Sequence, residues 1–132
     1  MRNAFIILNH ELKNEQKLEL QQLYDVSSFI ELSTSLQKIW SGFQPEDDIP
    51  SLKLKKIIRW LEADGKKDDI VVVQGEFGAT FYVVDFCFHH GMVPLYASSK
   101  RRYKESNHSD GSVERRHIFR HVKFKPYKRF FI

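Results

Sequence analysis

The chain holds a single cysteine, Cys87, so no internal disulfide can form and a reducing, cytoplasmic setting is expected. No apolar run approaches the roughly 20 residues that span a bilayer, so no membrane partner is expected. Only Met1-Arg2-Asn3 precede the first expected strand, so no signal peptide is expected. GxGxxG and Gly-Lys-Ser/Thr fingerprints are missing, and no serine sits in a nucleophile elbow. The histidines lack ligand spacing: His89-His90 are adjacent, and His117 and His121 lie in a basic run, so neither metal nor cofactor is expected. Cys87 with His90 as nucleophile and base is a formal alternative, but Cys87 reads as core.

What remains is enough for one domain: 132 residues, 42% hydrophobic, with 11 Phe, 5 Tyr and 2 Trp. The net charge of +4 is unevenly spread. Residues 1–97 carry 10 Lys/Arg against 14 Asp/Glu, giving −4; residues 98–132 carry 11 against 3, giving +8. A basic third on an acidic body suits a polyanionic partner at one face, phosphates above all, or else it is a solvated tail.

The chain is organised around 69–84, DIVVVQGEFGATFYVV. Ile70–Val73 is a continuous apolar run of the kind buried in parallel sheets. Gln74-Gly75-Glu76-Phe77-Gly78-Ala79-Thr80 follows, with two glycines that permit a sharp turn and a close approach. An apolar segment, Ala79–Phe88, then runs to Gly91. Strand, glycine turn and helix would form an anion site from free amides at the helix start. The alternative is a β-hairpin with 75–78 at its tip.

Ala4–Leu8 reads as another central strand, and Ser28–Leu32 and Val93–Ala97 as two more. Helices are expected at Asn14–Tyr24 (Leu18, Leu20, Leu23), after a Ser33 or Thr34 cap to Gly42, and from a Ser51 cap through Leu61. Gln44–Pro50 is a loop. These repeats predict an α/β, Rossmann-like, mostly parallel sheet flanked by helices in residues 1–97. Residues 98–132 complete the single domain as a hairpin about Asn107–Gly111 and an extended basic segment, Phe119–Tyr127.

Ligands of such sheets sit beyond the strands' carboxyl ends. That gathers Asn9-His10, Gln74–Thr80 and Ser98-Ser99-Lys100-Arg101, the last read as a loop. His10 is the candidate acid/base, with satisfaction of a loop carbonyl as the plain alternative. Lys100 and Arg101 would counter phosphate charge, or be plain surface charge. Asn9 offers an amide to help hold the ligand, Gln74 and Thr80 would contact base edge or ribose, the Glu76–Ala79 amides would hold phosphate, and Phe77 would stack on a base or anchor the loop in the core. A phosphodiesterase built so would use the substrate's own ribose 2′-hydroxyl as nucleophile.

Leu8-Asn9-His10, Val73–Thr80, Tyr96–Arg101 and Phe119–Phe124 together resemble the small CRISPR-associated Csx family numbered twenty, over nearly the whole chain and in order. The QG-acid-FGAT block is the specific part. Ser98-Ser99 stand where that family's Thr-Thr is expected, Glu76 where Asp is, and Lys123 and Lys125 where Arg is. The resemblance implies a CARF-like dimeric domain of type III CRISPR systems. It also implies a ring nuclease that opens cyclic oligoadenylate, most of all cyclic tetra-adenylate, and so ends an antiviral signal. The competing readings are a non-catalytic sensor or sponge for the same ligand, and a basic RNA- or DNA-binding module. No stable protein partner beyond a second copy is expected.

Overall fold

The computed structural model describes residues 1–131, the side chains of Lys104 and His117 excepted, so the expectation for His117 and the last position of the 98–132 region, Ile132, lie outside the described residues. The elements run β1 (Arg2–Ile7), α1 (Asn14–Tyr24), β2 (Val26–Glu31), α2 (Thr34–Ser41), α3 (Ser51–Asp64), β3 (Ile70–Val73), α4 (Phe77–His89), β4 (Val93–Asn107) and β5 (Val113–Pro126). The sheet order is β2-β1-β3-β4-β5. The first four strands pair in parallel, and β5 returns antiparallel on β4. This is an α/β domain with a mostly parallel central sheet flanked by helices. Among the described residues no helix is long and apolar enough to cross a membrane.

Alternation along the strands splits the core into two layers. Phe5, Ile7, Val71 and Val73 face α2, α3 and α4, where Trp40, Leu54, Ile57, Leu61 and Val83 meet them. Ala4, Ile6, Ile70, Val72 and Leu95 face the other way, toward Leu20 of α1 and Phe124 of β5. Burial on both faces explains why β1 and β3 read as unbroken apolar runs.

Several expectations are corrected. Ser98–Arg101 is no loop but the middle of β4, and the last basic segment is β5, paired along its length. Leu18 and Leu23 of α1 are exposed, and only Leu20 and Gln16 are buried there. Ser51 opens α3 as its first residue; the N-cap position is Pro50, with no side-chain cap bond. Ser33 does cap α2, accepting from the Leu36 amide at 3.3 Å. Asp25 closes α1 at φ 56°, and Gly91 follows α4 at φ 70°, a left-handed conformation that glycine adopts without a Cβ penalty.

Candidate functional site

Connections leave β1 and β3 toward opposite sides of the sheet, so the strand order switches between them. That switch is where ligands of open parallel sheets sit. Strand, turn and helix follow one another at 70–89, as the leading reading of that stretch holds, and the hairpin alternative is excluded.

Helix α2 fastens both loops at the switch. The Trp40 indole N–H donates to the Gln74 carbonyl at 3.1 Å, and the Gln37 amide donates to the Leu8 carbonyl at 2.8 Å. The Ser41 hydroxyl donates to Asn9 Oδ1 at 3.1 Å. The Gln74 N–H donates to the Ile7 carbonyl at 3.1 Å, and its side-chain oxygen accepts from the Ala97 amide at 2.9 Å, tying β1, β3 and β4 together. At Gly75 a Cβ would lie 2.7 Å from Trp40 Nε1 and 2.8 Å from Cε2, so the packed indole by itself already requires a glycine there.

The helix start is also partly occupied. Glu76 is the N-cap of α4, and its Oε1 accepts from the amides of Gly78 and Ala79. Those amides serve the chain's own carboxylate, which satisfies the helix terminus and complements its dipole. At Gly78 a Cβ would come 3.1 Å from Ile49 Cγ1, a packing constraint.

Phe77 is 93% exposed, which excludes the core-anchor reading and leaves its ring free at the rim. With Phe81 one turn later it forms one wall of an open cavity of about 710 Å³. Val84 and Phe88 continue that wall, and Tyr127, Lys128, Arg129 and Phe130 supply the other. Gln74, Gly75 and Thr80 also line it, and the buried Thr80 hydroxyl has no hydrogen-bond partner among the described residues. The tail is fixed there by the Tyr127 hydroxyl, which donates to the Val73 carbonyl at 2.6 Å, and by the Arg129 guanidinium, 4.9 Å from the Phe88 ring centre.

Tyr127 is half-buried against Tyr96, and burial, with a smaller contribution from Tyr96, pushes its pKa from 10.0 up to about 12. The folded value stands above the ordinary one, so the contribution to stability is full below pH 10.0 and is lost as the pH rises toward about 12. Chemical denaturation across that interval is expected to show a decline in stability that Tyr127→Phe flattens.

The other expected residues are dispersed. Asn9 and His10 line a separate cavity of about 410 Å³ with Glu31, Thr34, Gln37 and Ser41. The exposed His10 places Nδ1 3.2 Å from the Glu11 carbonyl, so the plain alternative is realised at that nitrogen. Ser98, Ser99, Lys100 and Arg101 line neither cavity. Being consecutive on a strand, they alternate between faces. Arg101 lies 5.3 Å from the Phe119 ring on the α1 side, whereas Lys100 and Ser98 face the α4 side with Tyr96. One protomer therefore cannot bring Lys100 and Arg101 to one phosphate from the same face.

Cys87 is fully buried, and burial raises its thiol pKa to about 12, so it is core and not a nucleophile. Among the described residues no group of three His, Cys, Asp or Glu side chains is placed to hold a metal ion. Phe81, Tyr127, Lys128, Arg129 and Phe130 escaped the sequence reading. The i,i+4 pair Phe77/Phe81 was its one visible signal.

The family model described as "Uncharacterized protein MJ1673 family" matches residues 2–125. This chain belongs to that family. A Methanocaldococcus jannaschii protein described as "Uncharacterized protein MJ1673" is 33% identical over 127 residues, covering 96% of this chain and 98% of the relative. No solved structure matches. The family match runs from the start of β1 to within one residue of the end of β5, so it takes in both the core and the basic hairpin.

Proposed function

We propose that this protein is a CARF-like, Rossmann-like ring nuclease of type III CRISPR systems. It would bind cyclic oligoadenylate, with cyclic tetra-adenylate as the foremost candidate, and open it without a metal. The observation that carries this reading is the aromatic cavity beside Phe77 at the carboxyl end of β3, rimmed by Lys128 and Arg129. It offers π-faces for adenine and cations for phosphate, the two things an oligonucleotide needs. The resemblance of the Gln74–Thr80 block supplies the particular ligand.

A ring is larger than either cavity, and His10 lies outside the one that Phe77 lines. The reading therefore requires two copies about a two-fold axis, which match a symmetric ring by using each loop twice. In the reaction, the ribose 2′-oxygen forms a bond to the adjacent phosphorus and the bond from phosphorus to the 5′-oxygen breaks. His10 Nε2 takes the 2′ proton, and the 5′-oxygen leaves as a hydroxyl after gaining a proton. The products are linear, with a 2′,3′-cyclic phosphate and a 5′-hydroxyl, and no water is consumed. In-line positioning supplies roughly 7–11 kcal/mol at best, and Lys100 counters the growing phosphate charge.

His10→Ala is expected to keep ring binding and to lower the single-turnover rate by about 10²–10⁴-fold. An unchanged rate would remove His10 from the chemistry. Phe77→Ala is expected to leave folding stability within about 0.5 kcal/mol, since the ring is exposed. It is expected to weaken ring binding by about 1–3 kcal/mol in calorimetry, the usual contribution of one stacked base. The separation of His10 from the Gln74 loop favours one second reading, a sensor or sponge that holds the ring intact. Unchanged ligand recovered from a long-lived complex would select it.

A further inference from the structure

Only Val93, Pro94 and Leu95 of β4 pair with β3. From Tyr96 to Asn107 the strand has β5 as its sole sheet neighbour. The hairpin thus continues past the sheet as a two-stranded arm, roughly 40 Å long at about 3.3 Å per residue. Such ribbons are marginal alone, so what covers each face matters.

The two faces of the arm differ. On the α1 side near the body, His121 and Phe124 are tucked against α1; farther out, Arg101 lies over Phe119 and Glu105 pairs with Arg115 at 3.1 Å. The α4 side is basic. The register sets Tyr96 opposite Lys125, Ser98 opposite Lys123 and Lys100 opposite Arg120, with Arg102 next along β4. A bulge between Ser98 and Ser99 leaves Val122 unpaired and keeps Arg120 on the same face as Lys123. Among the described residues Lys100, Arg102, Arg120, Lys123 and Lys125 have no carboxylate partner. Cations directly opposed across a ribbon, as Lys100 and Arg120 are, destabilise it unless an anion lies over them.

The basic face also leads somewhere. Lys123 and Lys125 share a concavity with Tyr96, Tyr127 and Lys128, and Tyr127 and Lys128 also line the aromatic cavity. Cations at two-residue spacing that run into ring faces form a track, not a point site.

We infer that the basic face of the β4–β5 arm binds the sugar–phosphate backbone of single-stranded nucleic acid, independent of sequence and separate from any ring-opening at the strand ends. Phosphates lie along Arg102, Arg120, Lys123 and Lys125, and a terminal base reaches the Tyr96–Tyr127 concavity. A duplex has its bases stacked inside and cannot use those rings. This inference does not depend on cyclic oligoadenylate being the ligand of the cavity.

Fluorescence anisotropy of the full chain with a labelled mixed-sequence 20-nucleotide RNA, single-stranded or as a duplex, tests it across a salt series. Tighter binding of the single strand is expected, falling steeply with salt. The triple variant R102Q/R120Q/K123Q is expected to lose on the order of tenfold or more in affinity, and its log–log salt slope is expected to fall by about 2. R102K/R120K/K123R, with charge conserved, is expected to bind within about threefold of the parent, as phosphate contacts that are largely electrostatic allow. Arg115→Gln, on the opposite face, is expected to change nothing. The single variants R102Q and R120Q, each with a smaller loss, stand in should the triple variant unfold. No binding at low salt, equal or tighter binding of the duplex, or an unchanged slope in the triple variant would each overturn the inference. So would a triple variant that loses a dimer in sedimentation while binding RNA as before, which would assign the face to a second copy.

Discussion

His121→Ala is expected to destabilise the protein by about 1–3 kcal/mol, the range for leaving a largely buried hydrogen-bonding group without its partner. The side chain of His121 is 7% exposed, although its strand lies at the sheet edge. Its Nε2 meets Glu19 Oε1 at 2.7 Å, and its Nδ1 meets the Gln16 side-chain amide at 3.3 Å. The other Glu19 oxygen accepts from the Phe124 amide at 2.7 Å. One carboxylate thus joins α1 to two points of β5, across more than a hundred residues of chain. Truncating His121 leaves that carboxylate confined without its partner, and the desolvation cost of the orphaned group is the larger part of the loss. Glu19→Ala is expected to cost at least as much, because the Phe124 amide also loses its acceptor. Urea denaturation of both variants and of the double variant measures the coupling. Additive losses would contradict the pairing, since residues in contact couple.

Trp40→Ala is expected to cost about 3–5 kcal/mol, the range for deleting a buried indole. Trp40 is 1% exposed and lies edge-on to Phe43 at 5.9 Å. Its N–H is the hydrogen-bond donor for the Gln74 carbonyl, at the point where β3 turns toward α4. The loss therefore has a local signature: the 74–76 turn loosens and ligand affinity at the adjoining cavity falls with stability. Gly75→Ala approaches the same contact from the other side. Its Cβ would meet the indole at 2.7 Å, and overpacking of this kind costs about 1–3 kcal/mol. Trp40→Phe removes the atoms that Cβ strikes, so Gly75→Ala is expected to be less costly in that background. Thermal melts of the four proteins decide it; equal losses in both backgrounds would contradict the contact.

Much of this fold was legible because local and global signals agree. α1 spans Asn14–Tyr24 and β3 spans Ile70–Val73, as read from helical polarity and from an apolar run too short for a helix. The turn after β3 was legible from its two glycines, but their purpose was not. Gly75 is bare because of Trp40, a residue distant in sequence, and sequence alone does not show which indole comes near. Ser98–Arg101 escaped as strand because a two-stranded ribbon in solvent has no buried face to impose alternation. Leu18 and Leu23 misled in the opposite direction: a leucine marks a core only where a partner element arrives, and among the described residues none covers that side of α1. The candidate site was half legible. Gln74, Gly75, Phe77 and Thr80 do line one cavity, but its second wall, Tyr127–Phe130, comes from the tail that follows the antiparallel β5. His10 and Lys100 were grouped with them by a rule about strand ends. That rule fixes which end of the sheet a loop occupies, not which cavity its side chains enter.

The proposed chemistry stands on the substrate's own 2′-hydroxyl as nucleophile, and product analysis tests that most directly. Purified protein is incubated with cyclic tetra-adenylate in excess EDTA, and the products are resolved by mass spectrometry. Linear adenylates that carry a 2′,3′-cyclic phosphate and a 5′-hydroxyl are the expected result. Intact ring after prolonged incubation, or a product with one added water at its first appearance, would contradict it.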